Sequence, residues 1–153
     1  MGDSMNAYYK TKIGVIQLTY EKDILLRIDI VEEVGHENKK NTFTNNIFTQ
    51  IEEYLDGKRK KFENINIKLQ GTEFQLRVWN KISQIPYGEL LSYKDIAILI
   101  GNGNASRAVG KALNKNPIPI IIPCHRVIGR KGNLTGFAYG IELKKVLIEL
   151  EKK

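Results

Sequence analysis

The chain has 153 residues, of which 42% are hydrophobic and 27% charged, enough for one ordinary domain or two small ones and typical of a water-soluble globular protein. No apolar stretch reaches the roughly 20 residues of a membrane span, so no membrane partner is expected. A single cysteine, Cys124, excludes an internal disulfide and Cys-based zinc sites, and the widely separated His36 and His125 suggest no metal pair. The expectation is no metal, no cofactor and a reducing, cytoplasmic setting.

Charge divides the chain. Residues 1–70 hold 11 basic and 11 acidic side chains, whereas residues 71–153 hold 13 and 6, so the second half carries the whole net charge of +7. A basic half suits a polyanionic partner such as nucleic acid, and it also suits an ordinary surface of solvated lysines.

Met5 is the expected natural start, with Met1 to Ser4 added residues. Ile13 to Tyr20 is β-rich, Glu21 to Asp23 turns, and Ile24 to Ile30 partly alternates, predicting two strands. Glu32 to Asn41 reads as a polar loop. From Thr44 the residues Ile47, Ile51, Tyr54 and Leu55 share a helical face that Gly57 ends. The basic run 58–61 reads as a solvated turn, and Ile65 to Leu69 alternates like a further strand.

In the second half, Thr72 is an N-cap for a helix over 73–84, with Phe74, Val78 and Ile82 one turn apart and Trp79 beside them. Ile85 to Gly88 breaks it. Ser92 caps a short helix over 93–100 with Asp95 in its first turn. Gly101 to Gly103 is a tight turn, and a further helix runs from Asn104 or Ala105 to about Asn114. Two short helices across a glycine turn form a helix-turn-helix pattern. On the second helix Ser106, Ala108, Gly110 and Ala112 are small, and Arg107 and Lys111 lie one turn apart. A small-residue face permits close approach, either to another helix or to a groove. Asn116-Pro117 ends the helix. An apolar run, 118–122, leads into Pro123-Cys124-His125-Arg126-Val127, followed by a polar turn and a loop holding Phe137 and Tyr139. Ile141 to Glu151 is helical, with Leu143, Val146, Leu147 and Leu150 expected to face the core.

A sulfur after an apolar run is most often a small core hydrophobe. Here the next two residues are His and Arg. A thiol attacks only as its thiolate, and neighbouring positive charge stabilises that form. Cys124 is therefore a candidate reactive centre.

The residues from Gly71 to Glu151 resemble, in order, the O6-alkylguanine-DNA alkyltransferases. The resemblance runs through Gly71-Thr72-Glu73-Phe74, Val78-Trp79, Ile85-Pro86-Tyr87-Gly88, Ser92-Tyr93, Arg107-Ala108-Val109-Gly110, and Asn116-Pro117 to Pro123-Cys124-His125-Arg126-Val127. It implies an α+β fold. A small strand-rich α/β domain over 1–70 would precede a mostly helical domain over 71–153 carrying the helix-turn-helix.

The implied activity is suicide repair of duplex DNA carrying O6-alkylguanine, by a monomer that flips the damaged base out of the helix. Cys124 would accept the alkyl group. His125 would take its proton through a water, Glu151 would orient His125, and Asn116 would sit at a hinge. Tyr93 would donate toward the departing base, and Arg107 would replace it in the stack. Ser106, Ala108, Gly110 and Lys111 would face DNA. Tyr93, Arg126, Val127, Phe137 and Ala138 would form the pocket. Because the product is a thioether, water has no carbonyl to attack and the sulfur stays alkylated.

The chain departs from the family pattern at 135–138, where Thr-Gly-Phe-Ala replaces a Gly-Gly-Tyr-Ser type run, so Phe137 and Ala138 lack hydroxyls. Two other readings fit parts of the sequence. A DNA-binding regulator explains the charge and the helix pair, and a cysteine hydrolase explains Cys124 and His125.

Overall fold

The computed structural model describes residues 3–134 and 137–152. The chain divides into two compact units, residues 1–69 and 70–153.

The first unit is an antiparallel meander of β1 (Met5–Thr11), β2 (Gly14–Glu21) and β3 (Ile24–Val31), followed by helix α1 (Thr42–Leu55). Register places Leu18 between Ala7 and Ile28, and Ile16 between Tyr9 and Ile30. Strand alternation sends Ala7, Tyr9, Ile16, Leu18 and Ile28 to the buried face. Helix α1 contributes Ile47, Ile51 and Tyr54, all fully buried. Tyr9 is fixed to it by stacking on Phe48 at 4.4 Å and by a 2.9 Å hydrogen bond between its hydroxyl and Thr44 Oγ1. The helix starts two residues before the expected Thr44. The cause is a capping box in which Asn41 accepts from the Thr44 N–H and the Thr44 hydroxyl accepts from the Asn41 N–H.

Two expectations need correction here. Strand β1 was not anticipated, because only Ala7 and Tyr9 of its seven residues are buried. Conversely, Ile65 to Leu69 forms no strand. Asn64 lies in the left-handed region at φ 56°, and the segment then makes only a one-residue bridge, Ile67 to Leu25.

The second unit opens with α2 (Glu73–Ile82), capped by Thr72 and Gln75. Two-residue β4 (Leu91–Ser92) leads directly into α3 (Tyr93–Leu99), capped by Ser92 and Asp95. After a turn comes α4 (Ser106–Asn114). Trp79 of α2 is buried and donates its indole N–H to the Ala112 carbonyl at 2.8 Å, which fixes α4 against α2. A 3-10 turn (Cys124–Arg126) runs into β5 (Val127–Ile128), and α5 (Ile141–Glu151) closes the unit. Strands β4 and β5 pair in parallel, Leu91 with Val127 and Ser92 with Ile128. This short pairing places the start of α3 beside the cysteine turn. Among the described residues no helix is long and apolar enough to cross a membrane.

Candidate active site and nucleic-acid face

Asn116 shapes the approach to the cysteine. Its amide donates to the Ile122 carbonyl at 2.9 Å, and its Oδ1 accepts from the Ile118 N–H at 3.0 Å. The Ile122 N–H closes the same loop on the Ile118 carbonyl at 2.9 Å. Ile120, inside it, has φ 74°, a region that a β-branched side chain adopts only under strain. The clamped loop delivers Cys124 as the first residue of the 3-10 turn, where it is buried.

Burial pushes the Cys124 thiol up to about 11, while a hydrogen bond from Asn116, the charge of Lys144 and nearby backbone N–H groups pull it back. With a value near 11, only about one thiol in ten thousand is ionised at pH 7. At neutral pH the resting sulfur is therefore held chiefly as the thiol.

Next to the sulfur is a buried ionic array. His125 is fully buried, and its Nε2 lies 2.7 Å from Glu151 Oε2. Arg126 donates to both oxygens of the same carboxylate, Nε to Oε1 at 2.8 Å and Nη2 to Oε2 at 3.0 Å. Its Nη1 donates to the Ile85 carbonyl at 2.6 Å, and its guanidinium lies 5.7 Å from the centroid of the Tyr87 ring. The Gly88 N–H adds a 3.1 Å bond to Glu151 Oε1. Gly88 sits at φ 82°, and a Cβ there would stand 3.1 Å from the Glu151 carbonyl oxygen. Conformation and close approach therefore both favour glycine.

The array sets the state of His125. Burial chiefly lowers its pKa, Glu151 opposes this, and the charges of Arg126 and Lys144 lower it further. In the neutral ring the hydrogen on Nε2 points to the carboxylate, leaving the Nδ1 lone pair to accept a proton. Such a ring is a base, not a cation that could stabilise a thiolate. The Arg126 charge is likewise engaged by Glu151. The sequence-based idea that these two neighbours supply the positive charge for the sulfur is thus corrected.

Tyr93 is the first residue of α3, and its pKa is raised by burial and then by the nearby charge of Cys124, so its phenol is held as a donor. With Ser92, Lys94, Ser106, Gly129 and Arg130 it lines a cavity of about 350 Å³ on the helix-turn-helix. Val127 is fully buried in β5. Phe137 is buried, with the Tyr139 ring edge-on at 6.2 Å, and Ala138 is exposed. Thr135 and Gly136 lie outside the described residues.

On α4, Arg107, Ala108 and Lys111 are exposed, and Ser106 and Gly110 are half-buried. Ala112 is buried and does not belong to this face. A Cβ built on Gly110 would meet no atom within 4 Å. Packing within the protein therefore does not require the small residue, which disfavours the helix–helix reading.

Of the four residues expected to face the core on α5, Leu147 is fully buried, Leu143 and Leu150 are half-buried, and Val146 is not buried. Val146 is 51% exposed, and the buried stripe is Lys144, Leu147, Ile148 and Glu151. Lys144, which sequence reading passed over, is 1% exposed. Once Glu151 points inward, helical spacing at i−7 puts Lys144 on the same face.

A helix-turn-helix and a buried thiol followed by a buried histidine on a carboxylate, all within one compact unit, define a class of proteins in which a nucleic-acid-binding fold and a candidate nucleophile occur together. The family model described as the 6-O-methylguanine DNA methyltransferase DNA binding domain matches residues 73–153, and that of the ribonuclease-like domain of the same family matches residues 5–69. The chain belongs to the 6-O-methylguanine DNA methyltransferase family.

It is 43% identical to the methylated-DNA–protein-cysteine methyltransferase of Methanosarcina acetivorans, over 95% of this chain and 96% of that one. The Haemophilus influenzae protein of the same name is 37% identical over 95% and 84%. The crystal structure of Mycobacterium tuberculosis O6-methylguanine methyltransferase superposes with a TM-score of 0.89 at 38% identity, covering 98% of this chain and 93% of that one. The M. tuberculosis protein in complex with DNA gives 0.88 at 40% identity, covering 97% and 92%.

Proposed function

We propose that this chain repairs DNA by moving an alkyl group from the O6 of guanine in a duplex to Sγ of Cys124, once per molecule. The observation that carries the reading is the buried thiol beside a neutral His125 whose Nε2 is engaged by Glu151. As sulfur attacks, its proton passes to His125 Nδ1, directly or through one water. The S–C bond forms while the C–O6 bond breaks, and its electron pair stays on the departing guanine, toward which the Tyr93 phenol donates. The product thioether has no carbonyl for water to attack, so the acceptor is consumed.

Helix α4 is the DNA face in this reading. Arg107 fills the gap left by the flipped base, Lys111 neutralises phosphate, and Ser106, Ala108 and Gly110 allow the backbone close to the groove. Asn116 couples this helix to the cysteine loop. Arg126 acts behind His125 through Glu151, Val127 anchors the turn, and Phe137 with Ala138 offers ring and backbone where hydroxyls are lacking. The chain acts as a monomer in a reducing, cytoplasmic compartment that keeps its one thiol free.

The test is intact mass after mixing with a duplex bearing one O6-methylguanine. The expected result is a gain of one methyl that saturates at one per protein, absent with unmodified duplex. Binding without mass gain would instead favour a regulator, and continuing turnover of a thioester substrate a hydrolase. A second prediction concerns the groove face. Gly110→Leu should melt at or above the wild-type temperature, because leucine favours a helix by about 1 kcal/mol over glycine. Its duplex affinity by fluorescence anisotropy should nevertheless fall about tenfold or more, equivalent to at least about 1.4 kcal/mol. Unchanged affinity would remove α4 from the interface.

A further inference from the structure

Lys144 is a buried cation without a carboxylate partner among the described residues. The ion pairs of α5 and its end involve Lys145 with Glu142, Lys152 with Glu149, and Glu151 with His125 and Arg126. Lys144 joins none of them, although it is 1% exposed and among the largest fully buried side chains. Burying an unpaired ammonium is unfavourable, and a merely structural position on this stripe would suit leucine or methionine better. Something must use the charge.

The surroundings indicate what that is. Helix α5 packs on the cysteine turn. Nζ of Lys144 lies 5.9 Å from the centroid of the Tyr93 ring. Electrostatic coupling links Lys144 to Cys124, and Cys124 in turn to Tyr93, so ammonium, thiol and phenol form one group. The other charged and titratable groups nearby are committed elsewhere. Glu151 and Arg126 satisfy each other, and His125 is turned to Glu151.

We propose that Lys144 is the cation that stabilises the negative charge developing on Cys124 Sγ as its proton leaves. The inference rests on Cys124 being the alkyl acceptor and adds an electrostatic residue to that site. The charge acts through space, and Lys144 neither gives nor takes a proton in the step. The Sγ proton still goes to His125, and the sulfur electron pair still forms the new S–C bond. Burial depresses Lys144 to about 8, so it remains mostly protonated at neutral pH. A thiolate nearby favours that charged form, so the charge is retained when it is needed.

The test uses iodoacetamide, which needs neither DNA nor repair. With one cysteine in the chain, intact mass reports alkylation of Cys124 alone. The pH profile of the alkylation rate is measured for wild type and for Lys144→Met, Lys144→Gln and Lys144→Arg, each alongside a thermal melt. In the Met and Gln variants the alkylation rate below about pH 8, where Lys144 is charged, should fall about tenfold or more, and the difference from wild type should shrink as the pH rises above that value. The Arg variant should keep most of the wild-type profile. The Met variant should melt no lower than wild type, because a buried charge has been removed. An unchanged profile in both uncharged variants, or an Arg variant that behaves like Met, would overturn the proposal. If DNA repair fails while these changes are seen, the repair reading fails alone.

Discussion

Cys124→Ser is expected to abolish methyl gain from an O6-methylguanine duplex while leaving fold and DNA binding nearly intact. The loss follows from the acceptor atom. A serine hydroxyl is a far weaker acid than a thiol, and the site already raises the thiol to about 11 by burial. The same environment would hold an alcohol fully protonated, and neutral oxygen is a poor nucleophile toward saturated carbon. On the proposed roles, the help that His125 and Lys144 give a thiol does not close that gap.

The fold should tolerate the change. Asn116 can hydrogen-bond a hydroxyl as it does the sulfur, so the stability change should stay within about 1–2 kcal/mol. Binding should persist because phosphate contacts dominate affinity. Intact mass, anisotropy and a melt on one preparation decide the matter. A methyl gain in the variant would show that another residue is the acceptor.

Much of this architecture was legible because local rules and tertiary packing agree. Helix boundaries at Thr72, Ser92 and Gly57 follow from side-chain caps and a left-handed glycine, and the structure carries them out with shifts of one or two residues. The α5 range and its buried Leu147 were read correctly, but Val146 was not. Periodicity assigns apolar residues inward, so Val146 was placed in the core and Lys144 was passed over. The true stripe carries Lys144 and Glu151 because that face meets the cysteine turn, where Glu151 pairs with His125 and Arg126. Strand β1 was hidden for a related reason. Its register is imposed by β2, which lies between β1 and β3, and its own sequence alternates weakly. Arg126 was assigned to the pocket by the family resemblance. No local signal could show that its guanidinium turns to a carboxylate 25 residues further on.

That guanidinium makes Glu151→Gln the second large effect. The substitution removes the one negative charge of the array. Arg126 then keeps the Ile85 carbonyl, the Tyr87 ring and at most one amide oxygen but loses its counter-charge, and breaking a buried pair from one side costs about 3–5 kcal/mol. A fall in melting temperature of about 10 °C or more is expected, given roughly 2–8 °C per kcal/mol in domains of this size. The methyl-transfer rate should fall about 10²–10³-fold, within the range that general-base catalysis contributes. An amide holds the His125 ring less firmly and gives an imidazolium no compensating charge.

Lost stability and lost orientation are separable. In the double variant Arg126→Met, Glu151→Gln neither member of the broken Arg126–Glu151 pair is left as an unpaired charge, so the melt should recover much of its loss, while the rate should remain as low as in Glu151→Gln. Arg126→Met alone has a different signature. Removing Arg126 takes away one influence that lowers the His125 pKa and leaves Glu151, which raises it. His125 should then protonate at higher pH, so the acid limb of the rate profile should move upward. If the double variant regained the rate together with stability, Glu151 would be a structural counter-ion for Arg126 and not the group that positions the base.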